Sequence, residues 1–310
     1  MNRVQLEFDL YIAPDGLEYQ FNNKIDKFIY PVSGYGMPGI RYVTQRGPYQ
    51  DGVTMLDYFL EPRIVQLRHR RNATSRTGQW DVRDNVLDVL RPNRQVINTL
   101  EPGTLRKIMP DGTKRDLSVI ILAGPTFDPS VRDWDEWAID DIIRFVAHDP
   151  VFFDPTGVST PFVFSTFDEL EFPILFDDDG IAFFLSTIDE TKPFTYTGSW
   201  LSYPTIDIVG PMSNPIITNT TTDEKIELTY TIAEGETVTI TTEYGNKTVT
   251  NGDGDNLIGT LTTDSDLATF HLAPAPEASD GINWIRARGA SADDELTKIV
   301  IEYYTRFIGI

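Results

Sequence analysis

Alternation of apolar and polar positions dominates the first half of the chain. Val4 to Leu10 alternates at the period of a half-buried strand, and Leu17 to Phe21 does the same. Phe28 to Val32 is a short apolar run broken by Pro31, which predicts an edge strand at best because proline cannot donate to a ladder. The Gly- and Pro-rich stretch from Ser33 to Gly39 predicts a loop, and Ile40 to Thr44 predicts a strand after it. Val53 to Arg70 reads as extended chain interrupted at Pro62. Ser75 or Thr77 is placed to cap a helix from Gly78 to Arg91, with Trp80, Val86, Leu87 and Leu90 at helical spacing and Pro92 as its stop. Thr104–Met109 and Thr113–Leu122 flank Pro110-Asp111-Gly112, a hairpin signal. Trp137 to Ala147 fits either a helix or a buried strand by periodicity alone.

The second half reads as nearly all β. Predicted strands are Ile181–Ser186, Thr205–Val209, Ile226–Ile232, Glu236–Thr242, Lys247–Thr250, Leu257–Thr262, Ala268–Leu272, Ile282–Arg288 and Thr297–Thr305. Their regular recurrence between Gly, Asn and Asp clusters is the pattern of a sandwich or jelly roll. Ile226 to Ile232 places Ile, Leu, Tyr and Ile on one face, which should be the buried one. Thr218–Thr222 reads as a loop.

Length and charge divide this pattern in two. A chain of 310 residues is long enough for about two domains. Residues 1–150 hold 19 basic and 21 acidic side chains, while 151–310 hold 7 and 26. Nearly all of the net charge of −21 thus belongs to the second half. The expected boundary falls among the prolines near 150–161, giving domains 1–155 and 156–310. The acidic balance argues against a protein that works by binding nucleic acid sequence-specifically, since phosphates need a cationic footprint, and against an anionic membrane as partner. No signal-peptide pattern or membrane span is expected. The absence of cysteine excludes disulfides, thiol nucleophiles and thiolate metal sites.

The remaining residues supply little catalytic chemistry. His69, His148 and His271 are far apart and fit no metal motif, so no metal or cofactor is expected. Asn251 to Asn256 looks like a calcium loop but lacks the EF-hand glycine and glutamate positions, and a tight turn is the better reading. The acidic stretch from Asp168 to Asp179 reads as solvated surface rather than a glycosidase pair. Gly34-Tyr-Gly36-Met-Pro-Gly39 has the spacing of a dinucleotide fingerprint, but a strand follows where a helix is needed. The run Arg68-His69-Arg70-Arg71 puts Arg68 and Arg70 on one strand face, readable as a charged edge, a nucleic-acid contact or a subunit interface. No catalytic site emerges, and a structural or binding role is expected.

Several segments resemble the distal tail protein (Dit) family of long-tailed, non-contractile phages. In the first half they are SGYGMPGIRYVTQRGPYQDG (33–52), LEPRIVQLRHRRN (60–72), WDVRDNVLDVLRPNR (80–94), GTLRKIMPDGTKRDL (103–117) and FVAHDPVFFDPT (145–156). In the second they are GSWLSYPTIDIVGP (198–211), TDEKIELTYTIAEGETVTITT (222–242), SDLATFHLAP (265–274) and EYYTRFIGI (302–310). The resemblance implies a mainly β virion protein of the tail tip, assembled in the host cytoplasm. Its N-terminal β-barrel or sandwich-like domain, with one helix, would form a homo-hexamer ring around a DNA channel. Its C-terminal domain would be a galectin-like β-sandwich facing outward. Implied partners are the tail tube protein, a tail-associated fibre or lysin protein, and a receptor-binding protein or host glycan. By the same resemblance, 137–147 should be a strand. Candidate ring-interface residues are then Tyr35, Met37, Arg46, Tyr49, Arg68 and Arg70, and candidate glycan or partner platforms are Trp200, Tyr203, Tyr244 and Trp284. The other reading of the chain is a carbohydrate-binding adhesion module.

Overall fold

Short strands, mostly in antiparallel ladders, and a helix build the first of two units in the computed structural model, which describes residues 8–22, 27–72, 75–92, 101–125, 138–162, 186–293 and 295–310. This unit comprises Met1–Pro155 together with Phe307–Ile310. Its strands are β1 (Phe8–Ile12), β2 (Glu18–Gln20), β3 (Lys27–Ser33), β4 (Ile40–Gln45), β5 (Thr54–Leu60), β6 (Arg63–Asn72), β7 (Gly103–Ile108), β8 (Lys114–Ala123), β9 (Ala138–Ala147) and β10 (Phe152–Phe153). The main sheet runs β2-β1-β7-β8-β9-β6-β3, with β10 on β8 and the two-residue strand Arg306–Phe307 on β10. The proline-broken β3 takes an edge of the sheet, the place where its missing donor costs least. The ambiguous segment before Ala147 is the strand β9, held in register along the whole of β6 from Arg63↔Ala147 to Asn72↔Ala138. Two strand ladders decide what its periodicity left open.

The helix α1 (Arg76–Val89) starts two residues earlier than its apolar spacing indicates, because Ser75 is the cap and accepts from Gly78 N at 3.0 Å. Val86, Val89 and Leu90 enter the core, whereas Trp80 and Leu87 remain exposed. The core itself gathers Tyr11, Phe21, Leu67, Leu105, Leu117 and Phe145 from one sheet face. The hairpin turn at Pro110–Gly112 joins β7 and β8, with Gly112 at φ +87°.

The second unit, Thr156–Arg306, is a two-sheet sandwich. Its strands are β11 (Val158–Phe162), β12 (Ser186–Thr195), β13 (Thr205–Val209), β14 (Met212–Asn219), β15 (Glu224–Glu227), β16 (Thr231–Ile232), β17 (Thr237–Thr241), β18 (Thr248–Asn251), β19 (Ile282–Ala292) and β20 (Lys298–Tyr303). One sheet is ordered β11-β20-β13-β17-β18 and the other β12-β19-β14-β15, with β16 on β14. Ile206, Ile208, Val238 and Ile240 from the first meet Ile217, Ile226, Ile285 and Ala287 from the second in one core.

Three strand predictions need correction here. Leu257–Thr262 contains a short 3-10 helix over Ile258–Thr260, and Ala268–Leu272 is turn apart from an isolated bridge between Ser202 and Leu272. Ile226–Ile232 keeps its expected burial alternation but is split into β15 and β16. The unpredicted β14 carries Pro215 at a bulge with Asn214 at φ +51°, which hides the strand from a pattern search. Asn251–Asn256 is a turn: Asp255 N donates to Asn251 Oδ1 and Gly254 takes φ +87°. Val4–Glu7, most of Ile181–Ser186 and the acidic stretch Asp168–Asp179 lie outside the described residues.

Candidate assembly surfaces

The hairpin β4–β5 forms a two-stranded sheet of its own. Apolar side chains occupy both faces: Tyr42 and Tyr58 fall on one, Val43 and Phe59 on the other, and beyond them a register shift at Leu56 sets Met55 opposite Thr44. Met55, Leu56 and Phe59 are 54–62% exposed, and Tyr42 and Tyr58 are similarly open. Two strands alone are marginally stable in water, and an exposed apolar patch of this kind marks an interaction surface. Arg46 Nε donates to Gln50 O (3.0 Å) and Gly47 N to Gln50 Oε1 (2.9 Å), which shapes the connecting loop. Tyr49 stands at that loop with φ +64° and its ring fully exposed.

The sequence candidates therefore divide. Met37, on the entry to the hairpin, and Arg46 and Tyr49, in its loop, are exposed on one excursion of the chain. Tyr35 turns inward: its hydroxyl donates to Asp9 Oδ1 at 2.6 Å, and its ring lies 6.1 Å from that of Phe152. Burial, then the Asp9 charge and hydrogen bond, push its phenol well above the ordinary range. Lys107 Nζ completes this cluster at 3.1 Å from Asp9 Oδ2.

Arg68 and Arg70 lie on β6, with Arg68 exposed and Arg70 half-buried, while His69 and Arg71 point into the core. The arginine run is thus not one surface patch. Arg71 pairs with buried Asp141 and donates from Nη1 to Val82 O of α1 at 3.2 Å. Sequence reasoning missed the exposed apolar residues of β4–β5; the signal available was apolar character at both parities of Thr54–Leu60.

In the second unit the aromatic candidates form no single platform. Tyr203 and Tyr244 are paired with ring centroids 6.0 Å apart. Lys247 Nζ lies 5.2 Å and 5.7 Å from these rings. That lysine donates to Thr242 O (2.9 Å) and Leu267 O (3.2 Å), so its donors are largely used within the fold, and burial lowers its pKa. Trp200 is half-buried and offers its carbonyl to Tyr196 Oη at 2.6 Å. Trp284 is on β19, in the opposite sheet, and is half exposed. His271, near the β14–β15 end, has Nδ1 3.0 Å from Glu224 Oε2 and Nε2 3.6 Å from Glu277 Oε1. No cluster of three or more metal-ligating side chains occurs among the described residues.

Comparison with known proteins agrees with this architecture. Residues 197–279, within the second unit, match the model of the siphovirus-type tail component, C-terminal domain (SPP1_Dit). The whole fold is similar to the crystal structure of the Dit protein (gp 19.1) of phage SPP1, described as a paradigm of the hub adsorption apparatus in phages infecting Gram-positive hosts. That similarity has a TM-score of 0.63 at 12% identity and covers 97% of this chain and 99% of that one. A chain of the phage P2 baseplate, in its activated conformation with Ca, aligns over 96% of this chain and 97% of its own at 9% identity. Its TM-score of 0.47 is too low to bear on the fold. No curated protein matches by sequence.

Proposed function

We propose that this chain is a distal tail protein, a non-catalytic structural component of a phage tail tip. The observation that carries this reading is the shared two-unit fold along 97% of the chain, joined to the tail-component match over 197–279. The first unit assembles head to tail into a homo-hexamer ring around a channel for DNA, because heterologous contacts that close by rotation build rings. The β4–β5 hairpin supports this: a second copy of the same chain is the occupant that covers its two apolar faces at every step around a ring. The second unit, which holds most of the acidic charge, faces outward and keeps neighbouring copies soluble and apart. The ring joins the tail tube protein on one side to a tail-associated fibre or lysin protein on the other.

Light scattering on the purified chain tests the ring. Six copies of 35.1 kDa make 210.6 kDa, and that species is expected at high protein concentration. A monomer that persists at high concentration, alone and with a tail tube protein added, overturns the hexamer.

A further inference from the structure

Arg63 is the third residue past the end of β5, and it is buried. Among the described residues it has no carboxylate partner. Its guanidinium donates instead to four backbone carbonyls: Nε to Pro150 (2.6 Å), Nη1 to Gly34 (2.6 Å) and to Gly36, and Nη2 to Ile308 (2.6 Å). Its carbon Cζ lies 4.7 Å from the centroid of the Phe152 ring. Burial lowers its pKa only to about 10, so the group remains a cation at neutral pH.

These acceptors come from three segments, two of which already meet where the short strand Arg306–Phe307 pairs with β10. One is the loop Gly34–Gly39, which leads into β4 and has no regular structure of its own. Gly34 is at φ +100°, and a Cβ there would strike the Ile64 carbonyl, so the loop is pressed against β6. The second is the turn before β10. The third is Phe307–Ile310. Ile310 N donates to Tyr35 O at 3.0 Å, and Phe307 lies with its ring centroid 3.7 Å from Cζ of Arg115. A Cβ at Gly309 would sit 3.1 Å from Gly36 C and 3.2 Å from Tyr35 O, so this segment lies backbone against backbone on the loop. The root of the hairpin closes at the same place, where Glu61 N donates to Gly39 O at 2.8 Å.

We propose that Phe307–Ile310 is a docking strap that gates the β4–β5 hairpin. Seated, it completes the acceptor set of Arg63 and fixes the entry loop, and the hairpin projects from a rigid root. Unseated, it removes the Ile308 acceptor and the Ile310 donor from the Tyr35–Gly36 region, and the hairpin root loosens while the main sheet stays folded. This inference concerns the hairpin within one chain and stands whether or not a ring forms.

Hydrogen exchange read by mass spectrometry tests it, at a concentration where light scattering shows a monomer. Two variants are compared with the full chain: one ending at Arg306, and Gly309→Val. The hairpin amides of Ile40–Gln45 and Thr54–Leu60 are expected to exchange at least about tenfold faster in both, while β8 amides keep their protection. A synthetic peptide of residues 305–310 is expected to restore slow exchange to the truncated chain and not to Gly309→Val. Unchanged hairpin exchange overturns the proposal. Loss of β8 protection together with the hairpin overturns it as well, since the segment would then be ordinary core.

Discussion

Arg71 and Asp141 form an ion pair with almost no solvent exposure, reaching across the β6–β9 ladder at the point where α1 docks. The pair is more than a charge couple, because the other arm of Arg71 donates to Val82 O in the helix. Removing one member leaves a buried charge without its counterpart. Asp141→Ala is expected to destabilise the first unit by about 3–5 kcal/mol, measured by urea unfolding. Replacing both, as Arg71→Met with Asp141→Leu, should cost clearly less than Asp141→Ala alone, because no uncompensated charge remains.

His69 occupies the same interior, edge-on to Tyr19 and Phe21. Burial, then the charges of Arg71 and Lys27, depress its pKa from 6.5 to about 3. The unfolded chain therefore binds a proton below pH 6.5 that the folded chain refuses. Stability from this group is complete above pH 6.5 and is lost as pH falls toward 3, by up to about 5 kcal/mol at 1.36 kcal/mol per unit. His69→Leu should flatten the acid limb of the stability profile between pH 6.5 and 4. A profile unchanged by that substitution would assign the acid limb to carboxylates alone.

The second unit should respond in the opposite sense. Burial alone would lower the pKa of His271, but hydrogen bonds to Glu224 and the Thr269 carbonyl, with the charges of Glu224 and Glu277, raise it above 6.5. Its contribution is full below pH 6.5 and is lost as pH rises through the raised value. Calorimetry from pH 6 to 8 is expected to show a transition of the second unit that falls with pH in the native chain and not in His271→Gln.

The hairpin offers a separation of assembly from folding. Leu56→Glu with Phe59→Glu changes side chains that water already reaches, so the cost to folding should stay within about 0.5 kcal/mol each. Assembly should be abolished by light scattering, since two carboxylates per copy would enter a desolvated contact. A hexamer that survives this double substitution would move the interface elsewhere.

Ser75 gives a local measure of α1. Ser75→Ala removes the acceptor for Gly78 N and should cost about 1 kcal/mol, whereas Ser75→Asp should retain it.

Much of the chain was legible from its pattern because its strands are short, alternating and punctuated. Thr205–Val209, the Pro110–Gly112 turn, the break at Pro62 and the edge position of β3 all follow from local chemistry: a side-chain period of two, positive-φ glycine, and the missing donor of proline. The division of charge near residue 150 is likewise a property of composition. Tertiary structure decided what periodicity could not. Ala138–Ala147 is a strand because β6 and β8 flank it. Arg68 and Arg71 differ in fate because strand parity sends one to water and the other to Asp141 and the helix. Arg63 is an internal donor whose acceptors lie as far as 245 residues away. Such acceptors are backbone carbonyls, identical at every residue, and only the folded chain determines which of them meet one guanidinium.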